Sequence, residues 1–118
     1  MAVLESDRQY ATALRGLRKK HKVIQYTMAG QLGLESQQQY SDLEKGKKHF
    51  TDEIILKICS FFHISILDFV QSVHKTNRVD FLSAKDYQEI NEAETDEIKL
   101  MIYKKLFLET KLKMLKAN

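Results

Sequence analysis

A run of small and amide side chains, Ser-Gln-Gln-Gln-Tyr-Ser, occupies positions 36–41. A glutamine amide can donate to and accept from the edge of an adenine together, so Gln37, Gln38 and Gln39 could read bases in a DNA groove. If the run begins a helix, the unpaired N–H groups of its first turn also favour a phosphate. A helix start that is merely solvated fits the same pattern. Only the residues around this run can distinguish a DNA-reading helix from a solvated one.

Signals on both sides place this run at the start of a short helix. Ser36 is predicted to cap the helix, Gln39 to complete a capping box, and Gly46 to end the helix. A preceding helix is predicted from about Gln25 to Leu32, ending at Gly33, where a left-handed conformation costs little. Two short helices joined by a tight turn are the arrangement that inserts a helix into the major groove of DNA.

The remaining apolar patterns also predict helices, and no proline or alternating strand pattern interrupts them. We expect a first helix from about Asp7 to His21 with Ser6 as N-cap, a fourth helix after Thr51 and a short fifth helix after Ser65. The predicted fold class is therefore all-α. Its parts are a five-helix domain over residues 1–70, a connector over 71–94 with at most a short turn, and a long C-terminal amphipathic helix over 95–118.

Apolar residues recur at three- and four-residue steps in this last helix and form a stripe that must be buried. The stripe consists of Ile98, Met101, Leu108, Leu112 and Leu115. It can pack back on its own domain or pair with a second chain, and Lys105 interrupts it. We favour a homodimer, because a twofold pair presents two DNA-reading helices about 34 Å apart on one face of the duplex.

Composition excludes several classes of protein. The chain is 43% hydrophobic and 30% charged, and no apolar run is long enough to span a membrane. Its first ten residues lack the layout of a secretory signal, so we expect a cytoplasmic protein. The single cysteine, Cys59, and the four unclustered histidines indicate neither a disulfide nor a metal site, and no cofactor is expected. No catalytic constellation is visible either, so an enzyme is not predicted.

Several spaced motifs follow one another between Leu14 and Val70. They are Leu-Arg-Gly-Leu-Arg-Lys at 14–19, Gln25, Met-Ala at 28–29, Leu-Gly-Leu at 32–34, Ser-Gln at 36–37, Tyr-Ser at 40–41, Leu-Glu-Lys-Gly-Lys at 43–47 and two helices from Ile54 to Phe69. In this order they resemble the Cro and phage-repressor (XRE) helix-turn-helix family. The resemblance covers about half of the chain. It implies a small bacterial regulator, a repressor that binds double-stranded DNA.

The resemblance also implies roles for individual residues. Helix three would read the major groove through Gln37, Gln38 and Ser41, with Gln39 divided between capping and readout. Ser36, the cap of this helix, is also counted among the DNA-binding residues. Contacts to the DNA backbone are implied for Gln25 at the start of helix two and for Lys45, Lys47 and Lys48 after helix three.

Arg18 and Glu44 match a structural pair that, in the family, links helix one to the end of helix three. Two departures affect the interface. Glu35 adds one residue to the turn before helix three, which could tilt that helix in its groove. Asp42 stands where a basic residue is common, which removes one expected phosphate contact.

Two other functions stay open. The chain could be the DNA-binding antitoxin of a toxin pair, with the C-terminal helix gripping the toxin. It could also be a protein-interaction module that binds no DNA. Separately, regulation could depend on contacts of residues 71–118 with a protein partner. The polar first turn of helix three argues against the hypothesis of an interaction module without DNA binding, because a protein-binding helix should expose apolar anchors there.

Overall fold

The chain is all-helical in residues 5–77 and 83–117, the ranges that the computed structural model describes. In chain order the helices of these ranges are α1 (Glu5–Lys20), α2 (Gln25–Gln31), α3 (Gln37–Glu44), α4 (Asp52–Phe62), α5 (Ile66–Asn77), α6 (Ala84–Glu92) and α7 (Asp96–Ala117). The predicted all-α class is confirmed. None of these helices is both long and apolar enough to cross a lipid bilayer.

Local capping sets the ends of the central helices. The Thr51 hydroxyl accepts a hydrogen bond from the Ile54 N–H at 3.2 Å and begins α4. Gly33 follows α2 and Gly46 follows α3, with left-handed φ angles of 71° and 74°. His63 ends α4 with a φ of 55°, a conformation that non-glycine residues adopt rarely. These boundaries lie within about a residue of the predicted ones.

The start of α1 differs from the prediction. Ser6, expected as the N-cap, lies inside the helix, which already includes Glu5. The next residue, Asp7, is buried; its carboxylate accepts the Phe50 N–H at 2.9 Å and lies 3.0 Å from His49 Nδ1. These contacts hold the loop between α3 and α4 against the first turn of α1. A capping pattern read from neighbouring residues alone could not reveal it.

One core unites the helices of the first seventy residues. Helix α1 packs along α5 and against α3, and α2 packs on α3. The largest fully buried side chains in this part are Leu14, Met28, Tyr40, Leu43, Phe50, Ile55, Ile58, Ile66 and Phe69. Cys59 is also buried, and burial together with the charges of Asp96 and Asp68 raises the pKa of its thiol to about 12. Cys59 therefore fills the core as a neutral thiol.

The structure corrects the prediction over residues 71–94, where a connector is expected. Helix α5 continues to Asn77, and α6 lies within the same segment, while residues 78–82 are outside the described ranges. The reason is burial: Val73 extends the apolar face of α5 by another turn, and Ile90 anchors α6 in the core. His74 is buried between α6 and α7, with its ring nitrogens 3.0 Å from the Tyr87 hydroxyl and 3.2 Å from the Tyr103 hydroxyl.

Helix α7 packs back on its own chain and keeps a second apolar face exposed. Leu100 and Tyr103 are buried where α7 contacts α4, α5 and α6. The side chains of Met101, Leu108 and Leu112 are 62%, 58% and 47% exposed. At about 100° per residue these three fall within one narrow stripe, turned well away from the buried pair. The sequence left two possibilities for α7, packing on its own domain or pairing with a second chain. Helix α7 packs on its own domain, and its exposed stripe is still available for pairing.

Replacing Leu100 with alanine is expected to lower the free energy of unfolding by about 2–3 kcal/mol, because the substitution leaves a cavity where α7 meets the core. Leu100 is 1% exposed, whereas its neighbour Met101 is 62% exposed, so Met101→Ala is the matched control and should change stability little. Urea denaturation followed by circular dichroism measures both. Equal effects of the two substitutions would contradict the packing of Leu100, and not Met101, against the core.

Candidate nucleic-acid interface

The turn between α2 and α3 is built by the end of α2. The Leu34 N–H donates to the Ala29 carbonyl at 2.9 Å, and the Gly33 N–H donates to the Gly30 carbonyl at 3.2 Å. This reversal needs the left-handed backbone that Gly33 supplies. Met28 and Ala29 are buried against α3, so the orientation of α3 relative to α2 is set by the core.

Helix α3 buries one face and presents polar side chains on the other. Tyr40 and Leu43 are fully buried, while Gln37 and Gln38 are exposed and Ser41 is half-buried. With about 100° between successive residues, Gln37, Gln38 and Ser41 fall within one sector of about 100°, and Tyr40 and Leu43 lie outside this sector. The structure therefore brings together the three side chains expected to face base edges.

Two of the three glutamines already have partners within the chain. Gln38 Nε2 donates to the Asp42 carboxylate at 3.0 Å, one turn further along α3. Gln39 is engaged at the helix start: its N–H donates to Ser36 Oγ at 3.2 Å and its side-chain oxygen accepts the Glu35 N–H at 3.1 Å. Gln39 thus holds the turn and the cap, and Gln37 is the glutamine of the run for which the structure shows no such bond.

Arg18 and Glu44, the predicted structural pair, are in direct contact. The guanidinium binds the carboxylate through two nitrogens, with Nε–Oε2 at 2.7 Å and Nη2–Oε1 at 2.8 Å. Arg18 Nη1 also donates to the Val23 carbonyl at 3.1 Å. The pair therefore connects the last turn of α1, the segment before α2 and the end of α3.

The environment keeps Glu44 ionised. Burial by itself would raise the pKa of the Glu44 carboxyl, but the hydrogen bonds and charge of Arg18, with the neighbouring Tyr40 hydroxyl and Gln25 amide, outweigh burial and lower that pKa. The side chains of Arg18 and Glu44 are only 15% and 5% exposed. A bidentate ion pair of this kind fixes orientation as well as charge.

A shallow cleft of about 160 Å³ lies beside this pair, between α1, the start of α2 and the end of α3. Its lining consists of Arg15, Arg18, Gln25, Ser41, Glu44 and Lys45. Gln25 and Lys45, both expected to contact the DNA backbone, thus lie next to the exposed face of α3. Arg15 belongs with them. In the sequence it is the first of a run of basic residues over 15–22 that could form a nucleic-acid patch, but nothing in the pattern singled it out from the rest of the run.

Residues 14–69 match the model of a family described as helix-turn-helix. The match begins within α1, contains α2, the turn and α3, and ends within α5. Residues 14–69 are a helix-turn-helix domain of the Cro and phage-repressor type. The function of such a domain is DNA binding in the regulation of transcription. No curated protein and no solved structure was found to match the chain.

In the loop after α3 of the helix-turn-helix domain, Lys47 and Lys48 do not line the cleft that contains Arg15. Gly46 permits the tight turn, because a Cβ at this position would stand 3.3 Å from Arg8 Cα and φ is 74°. The Lys47 N–H donates to the Asp42 carbonyl at 2.9 Å, which closes the end of α3. Lys47 and Lys48 line a second, larger depression that shares no lining residue with the cleft containing Arg15, so the predicted backbone contacts form two groups.

Two large apolar side chains at the start of α2 are exposed in the helix-turn-helix domain. Ile24 is 64% exposed and supplies no side-chain cap to α2, and Tyr26 is 72% exposed beside Ser36 and Gln37. Neither residue has a role predicted from the sequence. Both flank Gln25, so they lie at the edge of the surface that contains the predicted DNA contacts.

Proposed function

We propose that the chain is a sequence-specific regulator that binds double-stranded DNA with α3 in the major groove. The observation that carries the proposal is the polar outer face of α3, where Gln37, Gln38 and Ser41 point away from the core beside a cleft containing Arg15 and Gln25. Amide and hydroxyl groups on such a face can hydrogen-bond to base edges, while the flanking cations meet phosphates.

The contacts divide by role. Gln37, Gln38 and Ser41 read bases; Ser36 and Gln39 hold the first turn of α3 and leave its remaining N–H groups for a phosphate. The backbone contacts come from Arg15, Gln25, Lys45, Lys47 and Lys48. We expect repression, because a domain bound across a promoter excludes the transcription machinery without needing a further contact surface.

The chain acts as a homodimer in this proposal, through the exposed stripe of α7. Met101, Leu108 and Leu112 form its described part; Ile98 is half-buried beside it, and the side chain of Leu115 lies outside the described residues. An exposed apolar stripe on a charged helix favours association with a matching surface. A second copy is the occupant that gives DNA binding its twofold form, with two α3 helices about 34 Å apart.

Replacing Leu108 and Leu112 together by glutamate is expected to convert a dimer into a monomer, because both charges would be buried unpaired in the interface. The monomer should stay folded, since these side chains are exposed in the single chain. Light scattering at micromolar concentration measures the change, and Glu109→Gln, an exposed substitution on the same helix, is the control. A wild-type chain that is monomeric under these conditions would contradict the dimer and point to a different protein on the stripe.

Selection of genome fragments by the purified chain at two salt concentrations tests the DNA-binding proposal. We expect enrichment of an inverted repeat, and loss of that enrichment for the Gln37→Ala, Gln38→Ala double variant. Residual binding of the variant should be weak and steeply salt-dependent, because phosphate contacts remain. Absence of any enriched sequence, or enrichment that the double variant retains, would refute base reading by α3.

A further inference from the structure

A depression of about 540 Å³ opens between the α2–α3 turn, the loop after α3 and the first turns of α4. Its volume falls in the range of pockets that hold small organic ligands. Leu32, Leu34 and Ile54 form its apolar side, as an outward extension of the core. The depression is separate from the cleft that contains Arg15 and Gln25.

Positive charge converges on this depression. Lys47, Lys48 and Lys57 line it together with His49, and the acidic residue among its lining is Glu53. Three ammonium groups around one carboxylate create a local positive potential that attracts an anion. Lysine is a common phosphate binder, acting as a point charge.

Lys57 is held at the depression by two neighbours. Its Nζ lies 2.9 Å from Glu53 Oε1, one turn earlier on α4. The same Nζ lies 3.1 Å from the position that a Cβ would occupy at residue 33, so the ammonium group rests against the bare backbone of Gly33. The glycine that allows the turn thus also makes room for a cation beside it.

We propose that this depression binds a phosphate ester, with the phosphate at Lys47, Lys48 and Lys57 and the carbon body against Leu34 and Ile54. The same chemical group can come from a DNA strand or from a free nucleotide. A free nucleotide held there would compete with DNA for Lys47 and Lys48 and would release the regulator from its operator. That consequence, unlike the binding itself, rests on the proposed function.

Titration of the isotopically labelled full chain with thymidine 5′-monophosphate tests the site, with uncharged thymidine as the matched ligand. At constant ionic strength we expect saturable NMR shifts at Gly33, Lys47 and Lys57 with the nucleotide alone. Lys57→Gln should weaken binding by about threefold, and Glu53→Gln should strengthen it by about threefold because a repelling carboxylate is removed. Lys85→Gln, an exposed substitution on α6, should leave it unchanged.

A second arm identifies the source of the phosphate by measuring the salt dependence of binding to a fixed duplex. If a DNA strand occupies the depression, Lys57→Gln lowers the slope of log affinity against log salt by about one unit. If a free nucleotide is the ligand, that slope is unchanged and the nucleotide displaces DNA more strongly than chloride does at equal ionic strength. Either result supports the site.

Three results overturn the proposal. One is the absence of nucleotide shifts together with a wild-type salt slope for Lys57→Gln. Another is equal shifts with thymidine and with its monophosphate, and the third is an effect of Lys85→Gln as large as that of Lys57→Gln. Gln37→Ala separates the two proposals, because it should weaken binding to the selected operator and leave the nucleotide shifts intact.

Discussion

Gln37→Ala is expected to weaken binding to the selected operator by about tenfold to a hundredfold, the range for loss of one good bidentate contact to a base. Gln37 is exposed in the first turn of α3, and the structure shows no bond of its amide within the chain. Both its donor and its acceptor can therefore turn toward a base edge without breaking another contact. Titration of a labelled operator duplex, followed by fluorescence anisotropy, measures the change in affinity.

The loss should be specific to the operator. Affinity for an unrelated duplex is expected to stay near the wild-type value, because alanine removes no charge from the backbone contacts. Gln38→Ala should have a smaller effect, since Gln38 Nε2 is shared with Asp42 at 3.0 Å. Gln31→Ala, an exposed glutamine at the end of α2, is the control. Equal losses on operator and unrelated DNA would mean that Gln37 does not read bases.

The helix boundaries that were predicted well are those that depend on residues close in sequence. Thr51 bonds to a backbone N–H three residues away, and Gly33 and Gly46 supply left-handed turns at their own positions. Capping and turn chemistry act over such short distances, so a sequence pattern contains the relevant partners. The placement of Gln37 and Gln38 on an outward face was implied by the resemblance to the helix-turn-helix family.

The parts that were missed depend on contacts between distant residues. The continuation of α5 and the presence of α6 require Val73, His74 and Ile90 to be buried under α7, which the polar composition of residues 71–94 conceals. Ser6 could not be rejected as a cap without knowing that Asp7 binds the backbone of Phe50. The spacing of residues in the sequence indicates the type of an element. The residues that the element contacts depend on the three-dimensional fold.

The candidate site shows the same division. The matched motifs predicted which side chains of α3 point outward, but the division of the basic residues into two groups appeared only in three dimensions. Arg15 lines the same cleft as Gln25 and Lys45, although the three lie on different segments of the chain. Lys57 likewise lines the same depression as Lys47. Lys57 carries no motif signal, because its place beside Gly33 depends on the fold and not on its neighbours in the sequence.

Arg18→Met is expected to lower the free energy of unfolding by about 3 kcal/mol near neutral pH, because it leaves the Glu44 carboxylate buried without its partner. The substitution also removes the hydrogen bond to the Val23 carbonyl. Arg15→Met, at an exposed arginine on the same helix, is the matched control and should cost much less. Urea denaturation of the variants at fixed pH measures both losses.

The pH dependence of this loss identifies its cause. In the wild type the pKa of Glu44 is lowered on folding, so its contribution is present above the unfolded pKa and disappears as the pH falls through the folded value. Without Arg18, burial should instead raise this pKa, and protonation should then favour the folded variant as the pH falls. The difference between wild type and Arg18→Met should therefore shrink from pH 7 toward about pH 4, near the ordinary glutamate pKa. Adding Glu44→Gln to the variant should recover part of the loss at neutral pH; a difference that is constant with pH would mean that lost packing of the arginine, rather than an unpaired carboxylate, is responsible.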